Sequence, residues 1–163
     1  MLDNLFSSII QDTSLVDILA AFFAGAAFML SIIQFIRDNS RQKRESTLNA
    51  YNDLQDDVFT NLNILLSEYK IKKKKLTSLR SGDKDWEDIT EYLAKIERFS
   101  VGINSGIYSI KVLNRLGGGY FIRLYEELSP VITKKRKANI SKGNHYDEFE
   151  VTVKKLKKLR KVQ

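Results

Sequence analysis

The chain has 163 residues, 43% of them hydrophobic, with 27 Lys and Arg against 20 Asp and Glu, one His and no Cys. That inventory excludes a disulfide-stapled secreted scaffold, thiolate chemistry and Cys-ligated zinc, and it leaves zinc mainly carboxylates, which it does not favour. The length suits one small domain, and the net charge of +7 favours anionic surroundings.

Residues 1–17 place Leu2, Leu5, Phe6, Ile9 and Ile10 at helical spacing, with Asp3, Asn4, Ser7 and Gln11 opposite. The pattern predicts an amphipathic, extracytoplasmic segment lying in the outer membrane interface, or a helical extension of the apolar run next to it. Asp17 favours an interfacial position, because a carboxylate is costly in hydrocarbon.

Ile18 to Ile36 then run without a charge. At 1.5 Å per residue they reach about 28 Å, close to the thickness of a bilayer core. Only Ser31 and Gln34 are polar, and Phe22, Phe23, Phe28 and Phe35 spread around the helix, so no solvent-facing stripe remains. A core helix is usually shorter or has a polar face. A signal peptide needs a basic region before the apolar run, and no Lys or Arg precedes position 37. The segment 18–36 is therefore expected to span a membrane once.

Its direction is set by charge. Arg37, Arg41, Lys43 and Arg44 come directly after the span, and the part beyond it carries 27 cations against 17 carboxylates, a net +10. The positive-inside rule places that side in the cytoplasm and the N-terminus outside. The span also carries small residues at helical intervals: Ala20, Ala24, Ala27 and Ser31, with Ala21 and Gly25 beside them. Such a face lets two helices approach closely and is the expected site of self-association; filler facing lipid is the plain alternative.

Residues 37–163 are expected to form a cytosolic helical domain. Leu48, Tyr51, Leu54 (or Gln55), Val58, Leu62, Leu65 and Tyr69 step by three or four, predicting one long helix from about Arg41 to about Leu79, possible as a continuation of the span. Lys70 and Lys72 to Lys75 would be a solvated face of its last turns. Ser81-Gly82-Asp83 is expected to end it, with Asp83 or Asp85 capping the next helix. Trp86, Ile89, Leu93, Ile96, Ser100 and Ile103 mark that helix, and Asn104-Ser105-Gly106 its end.

A short helix through Val112 and Leu116 is expected to stop at Gly117-Gly118-Gly119, and another to begin at Tyr120. Ser129-Pro130 either kinks the latter or starts a further helix. Lys134 to Lys137 is expected to be basic and exposed, and Lys142-Gly143-Asn144 to be a loop. The last segment sets Tyr146, Phe149, Val153 and Leu156 on one face, rimmed by Lys154, Lys155, Lys157, Lys158, Arg160 and Lys161. No alternating strand pattern is present, so the fold class is all-α: a single N-terminal transmembrane helix followed by a small cytosolic helical bundle.

The arrangement resembles a family of bacterial and phage proteins catalogued as domain of unknown function 4760. The residues that carry the likeness are Trp86-Glu87-Asp88-Ile89-Thr90-Glu91-Tyr92-Leu93, Ile96 to Ile103, Ser105-Gly106-Ile107-Tyr108, Gly119 to Glu126 and Tyr146-Asp147-Glu148-Phe149. The resemblance covers about residues 85–155, with the anchor in general character. It implies a membrane-tethered helical domain and supplies no catalytic residue.

The remaining motifs give no chemistry. His145 is the only histidine, no nucleophile turn surrounds any serine, and Arg136 lies too far from His145 for the Arg-then-His pattern of helical ribonucleases. Glu68-Tyr69-Lys70 is similar to a nuclease metal motif, but that motif needs strands to aim its carboxylates. Gly117-Gly118-Gly119 lacks the Lys-Ser/Thr of a phosphate loop. Arg98, Arg123, Glu97 and Glu126 are candidates for a charge pair between helices.

The basic clusters remain. A +10 domain beside a membrane is drawn to anionic headgroups, each nearby cation contributing on the order of 1 kcal/mol. The C-terminal lysines are candidates for contact with lipid, for nonspecific contact with nucleic acid, or for a solvated face. The expected function is a non-enzymatic, membrane-anchored interaction or regulatory protein with no cofactor, partnered by lipids and by a protein or a second copy of itself. The alternative is a small membrane-perturbing effector of the toxin or phage-defence type, acting through oligomerisation of its span. A nucleic-acid binder is the weaker third reading.

Overall fold

The computed structural model describes residues 15–138 and 145–161, and every regular element among them is helical. The expected amphipathic segment and the loop at 142–144 fall on positions outside the described residues, apart from residues 15–17. The chain divides into two compact units, residues 1–42 and 43–163.

In the first unit the described residues form one helical stretch. It is the N-terminal part of α1 (Leu15–Leu54), and each of its residues up to Gln42 is exposed.

The second unit is a helical bundle. It begins with the rest of α1, which passes through a π-turn, Gln55–Phe59, into α2 (Thr60–Ile71). A 3-10 turn, Leu76–Ser78, leads to α3 (Lys84–Asn104). Next come α4 (Ile110–Ala138) and α5 (Asp147–Lys161), with α5 packed against both α3 and α4.

α1 runs on from the apolar stretch as far as Leu54, and the helix expected to reach about Leu79 ends at Ile71, eight residues early. Lys72 caps α2, and Lys73 takes a left-handed φ of 51°. The lysines 72–75 therefore form the exit turn rather than a helix face. Strongly hydrated, mutually repelling ammonium groups gain nothing from prolonging a helix whose apolar face has already been buried. Asp83 stands at the N-cap of α3 without capping it. Its carboxylate instead accepts from the Arg80 backbone N–H at 2.7 Å, closing the turn around Gly82.

The glycine run breaks the helix as expected: at Gly117 the backbone leaves helical geometry (φ −162°, ψ 24°), so α4 is two helical segments joined by a kink. The second segment resumes directly after Gly117 rather than at Tyr120, and Tyr51 packs where a Gly117 side chain would stand. Pro130 lies inside α4 and starts no new helix.

The apolar spacing of α3 and α5 matches the core. Trp86, Ile89, Leu93, Ile96, Ser100 and Ile103 are buried, as are Tyr146, Phe149, Val153 and Leu156. Phe121 of α4 is the hub. Its fully buried ring lies 6.0 Å from Phe59, 5.9 Å from Phe99 and 5.3 Å from Phe149, so one side chain joins the π-turn, α3 and α5. Edge-to-face pairs of this kind add about 0.5–1.5 kcal/mol each beyond burial. Phe59 escapes a strict helical spacing. The π-turn supplies one extra residue, so that Val58 and Phe59 both turn inward.

Candidate functional site

The apolar helix is the most anomalous surface of the molecule. Its richest 18-residue window has a mean hydropathy of 2.2, and none of that window is buried. Phe22, Phe23, Phe28, Met29, Leu30, Phe35 and Ile36 all stand open. Soluble monomers rarely expose contiguous apolar patches beyond a few hundred Å2, so this helix needs an apolar medium or partner. Among the described residues it is the one helix long and apolar enough to cross a membrane.

The Ser31 hydroxyl donates to the Ala27 carbonyl at 2.9 Å, which satisfies it within the helix. Ala20, Ala21, Ala24, Gly25 and Ala27 are exposed, and no atom lies within 4 Å of where a Gly25 Cβ would be. Arg37 and Arg41 are exposed in the same unit. In the second unit Lys43 is half-buried and Arg44 exposed.

The C-terminal lysines decorate a helix whose apolar face is already committed. Lys154 pairs with Glu150 at 2.6 Å and Lys157 with Glu126 at 2.7 Å. Lys155 donates to Asn104 at 2.8 Å, and Arg160 to the side chain and carbonyl of Asn114 at 2.9 and 3.2 Å. Lys158 and Lys161 are exposed. Because Tyr146 and Phe149 are core residues, α5 offers a lipid or a nucleic acid its cationic rim and the partly exposed Val151 while it stays folded.

The charged groups deeper in the bundle act as struts. Arg136 bridges Asp147 and Glu150, both at 2.9 Å, and its Nε donates to the His145 carbonyl at 2.8 Å. Hydrogen bonds from Lys154 and Arg136 hold the Glu150 carboxyl well below its usual range, at about 2. Lys134 reaches the Leu79 carbonyl and lies over the Trp86 ring. The expected exposed cluster at 134–137 is thus partly structural.

The pair expected among Glu97, Arg98, Arg123 and Glu126 does not form. Glu97 instead accepts from the backbone N–H groups of Glu148 and Phe149, at 3.0 and 2.8 Å, capping α5 from across the bundle. Arg123 lies over the Tyr120 ring, and Arg98 is exposed.

The remaining sequence motifs are also structural here. Glu68 pairs with Lys72 on the surface, while the Tyr69 hydroxyl donates to Asp85 at 2.7 Å. Burial and that carboxylate push the Tyr69 hydroxyl up to about 12. The space above Gly117, Gly118 and Gly119 is filled by Tyr51, Asn114, Leu156 and Arg160, leaving no cradle for a phosphate. Among the described residues no group of three or more His, Asp or Glu side chains is gathered to hold a metal. An open groove of about 540 Å3 runs beside Thr77, Pro130, Thr133 and Lys137.

The family model described as Domain of unknown function (DUF4760) matches residues 21–156, and the chain belongs to that family. No curated protein and no solved structure matches it. The match begins inside the apolar helix and ends in α5, so it takes in part of the helix as well as the bundle.

Proposed function

Starting from that family membership, we propose that the chain is a single-pass membrane protein that holds a non-enzymatic helical interaction domain at the cytosolic face. The observation that carries this reading is the fully exposed apolar helix, hydropathy 2.2 over 18 residues, in a chain whose other helices bury their apolar faces. The charge asymmetry supports the direction: all 27 cations lie after the span, so the domain lies on the cytoplasmic side.

Membrane extraction and protease protection test the reading. The protein should resist alkaline carbonate and yield to detergent, and a tag after Gln163 should be digested only from the cytoplasmic side. Release by carbonate, or protection of that tag, would refute it. The small residues Ala20, Ala24, Ala27 and Ser31, with Ala21 and Gly25 beside them, are the face we assign to self-association through the span. Ala24→Leu should then reduce crosslinked dimer, and an additional loss of membrane depolarisation on expression would favour the effector reading.

A further inference from the structure

The turn between α3 and α4 presents an apolar side chain on a fixed backbone. Gly106 takes a φ of +82°, its N–H bonds the Ile103 carbonyl at 3.2 Å, and the Tyr108 N–H bonds the Gly102 carbonyl at 2.9 Å. The Tyr108 ring stacks on Phe99 at 5.3 Å, and the Ser109 N–H donates to the buried Thr47 hydroxyl at 2.8 Å. Every residue around the tip is tied down, yet Ile107 is 63% exposed. A rigid turn that holds out an isoleucine has no evident use for stability.

The charge around this turn is mostly positive, although the Glu148 carboxylate accepts from the Asn104 side chain at 2.7 Å. No Asp or Glu occurs between Glu97 and Glu126, while Arg98, Lys111, Arg115 and Arg123 do. Lys111 and Arg115 are exposed on the first turns of α4. Lys43 belongs to the same end, since a Cβ on Gly106 would lie 3.7 Å from its ammonium. Arg44 adds a further exposed cation, and Glu45 is the one carboxylate between Lys43 and Asp53. The tether sets the distance: Lys43 comes seven residues after Ile36, and even fully extended these reach only about 25 Å.

We propose that this end of the bundle, with Ile107 at the tip and Lys43, Lys111 and Arg115 as its cations, docks on the anionic lipid surface of the membrane that holds the chain. Ile107 enters the headgroup boundary and the cations meet lipid phosphates. The proposal rests on the anchored reading and adds a face to it. Ile71, 80% exposed among Lys70 and Lys72 to Lys75, also pairs an apolar side chain with cations, but it lies 28 residues further along the chain than Lys43, whereas Lys43 itself belongs to the Ile107 end.

The chain lacks cysteine, so a single engineered thiol reports position without further substitutions. Full-length Ile107→Cys, carrying a polarity-sensitive fluorophore, is reconstituted in phosphatidylcholine vesicles with and without phosphatidylglycerol and quenched by headgroup-labelled lipid. Ile64→Cys, exposed on α2, is the comparison. The label at 107 should be quenched more than the label at 64, only with anionic lipid, and less at high salt. Lys43→Ala and Lys111→Ala should each lower the docked-to-free ratio about fivefold.

Flotation of the same samples separates the two readings. If the protein floats with the vesicles but 107 is quenched no more than 64, the docking face is refuted and the anchor stands. If the protein does not float, both fall. Equal quenching in neutral lipid also overturns the electrostatic part. Unchanged Trp86 emission in each variant excludes unfolding as the cause of a loss.

Discussion

Gly102→Ala tests the packing that fixes the α3–α4 turn. Gly102 is a helical residue, and in an open helix interior alanine is better than glycine by about 1 kcal/mol. Here the added methyl would overlap Cδ2 and Cε2 of Tyr108 and lie 3.3 Å from its Cζ. The ring has little room to retreat, because its far side stacks on the buried Phe99 at an interplanar angle of 24°. Overpacking of this kind costs about 1–3 kcal/mol, and loss of the aromatic pair about 0.5–1.5 kcal/mol. The losses exceed the gain, so the variant should be destabilised by about 1–2 kcal/mol.

A double-mutant cycle supplies the decisive sign. With Tyr108→Ala in place the obstruction is gone, and Gly102→Ala should then stabilise by about 0.5–1 kcal/mol. The assay is urea unfolding of the full-length protein in lipid nanodiscs, followed by Trp86, the single tryptophan and only 5% exposed. A neutral or stabilising Gly102→Ala in the native background would refute the reasoning. So would the same effect with and without Tyr108.

The π-turn gives a second test. Deleting Asp56 removes its extra residue and leaves the downstream helix in register, whereas deleting Asn63 rotates everything before it by about 100°. The first variant should keep a cooperative transition by Trp86 fluorescence and the second should lose it. Glu97→Gln weakens the two hydrogen bonds that cap α5 and should cost about 1–2 kcal/mol in the same urea assay.

Acid stability should depend on Glu150. Its folded pKa is depressed to about 2, so its stabilisation is complete above the ordinary glutamate range near 4.5 and disappears as pH falls through 2. After allowance for solvent screening of a side chain one quarter exposed, the contribution is about 1 kcal/mol. Glu150→Gln should flatten the loss of stability between those two pH values, as read by Trp86 emission. An unchanged acid transition would refute this assignment.

Much of the architecture is legible in local pattern. The charge-free run at 18–36, the absence of any cation before it and the apolar spacing of α3 and α5 are one-dimensional signals, because a helix maps sequence interval directly onto direction. The break at Asn104-Ser105-Gly106 is of the same kind, a local conformational preference that packing leaves intact. For the docking face, the sequence marks Lys43 but gives no reason to join it to Ile107 or Lys111.

What pattern could not decide were the places where distant groups compete for the same backbone or space. Glycines 117–119 read as a break, and the backbone does leave helical geometry at Gly117, but which side chains occupy the room above them, Tyr51, Leu156 and Arg160, is decided by packing. Glu97 reads as an ion-pair partner, yet the unsatisfied N–H groups at the start of α5 claim it first. Phe59 falls off the regular face until a π-turn brings it against Phe121. The sequence by itself determined which stretch seeks an apolar medium and which stretches are helices, since hydropathy and spacing are properties of neighbours in the chain. Only the tertiary structure decided which cations are already engaged and which apolar side chain stays open, since those depend on what the fold brings alongside.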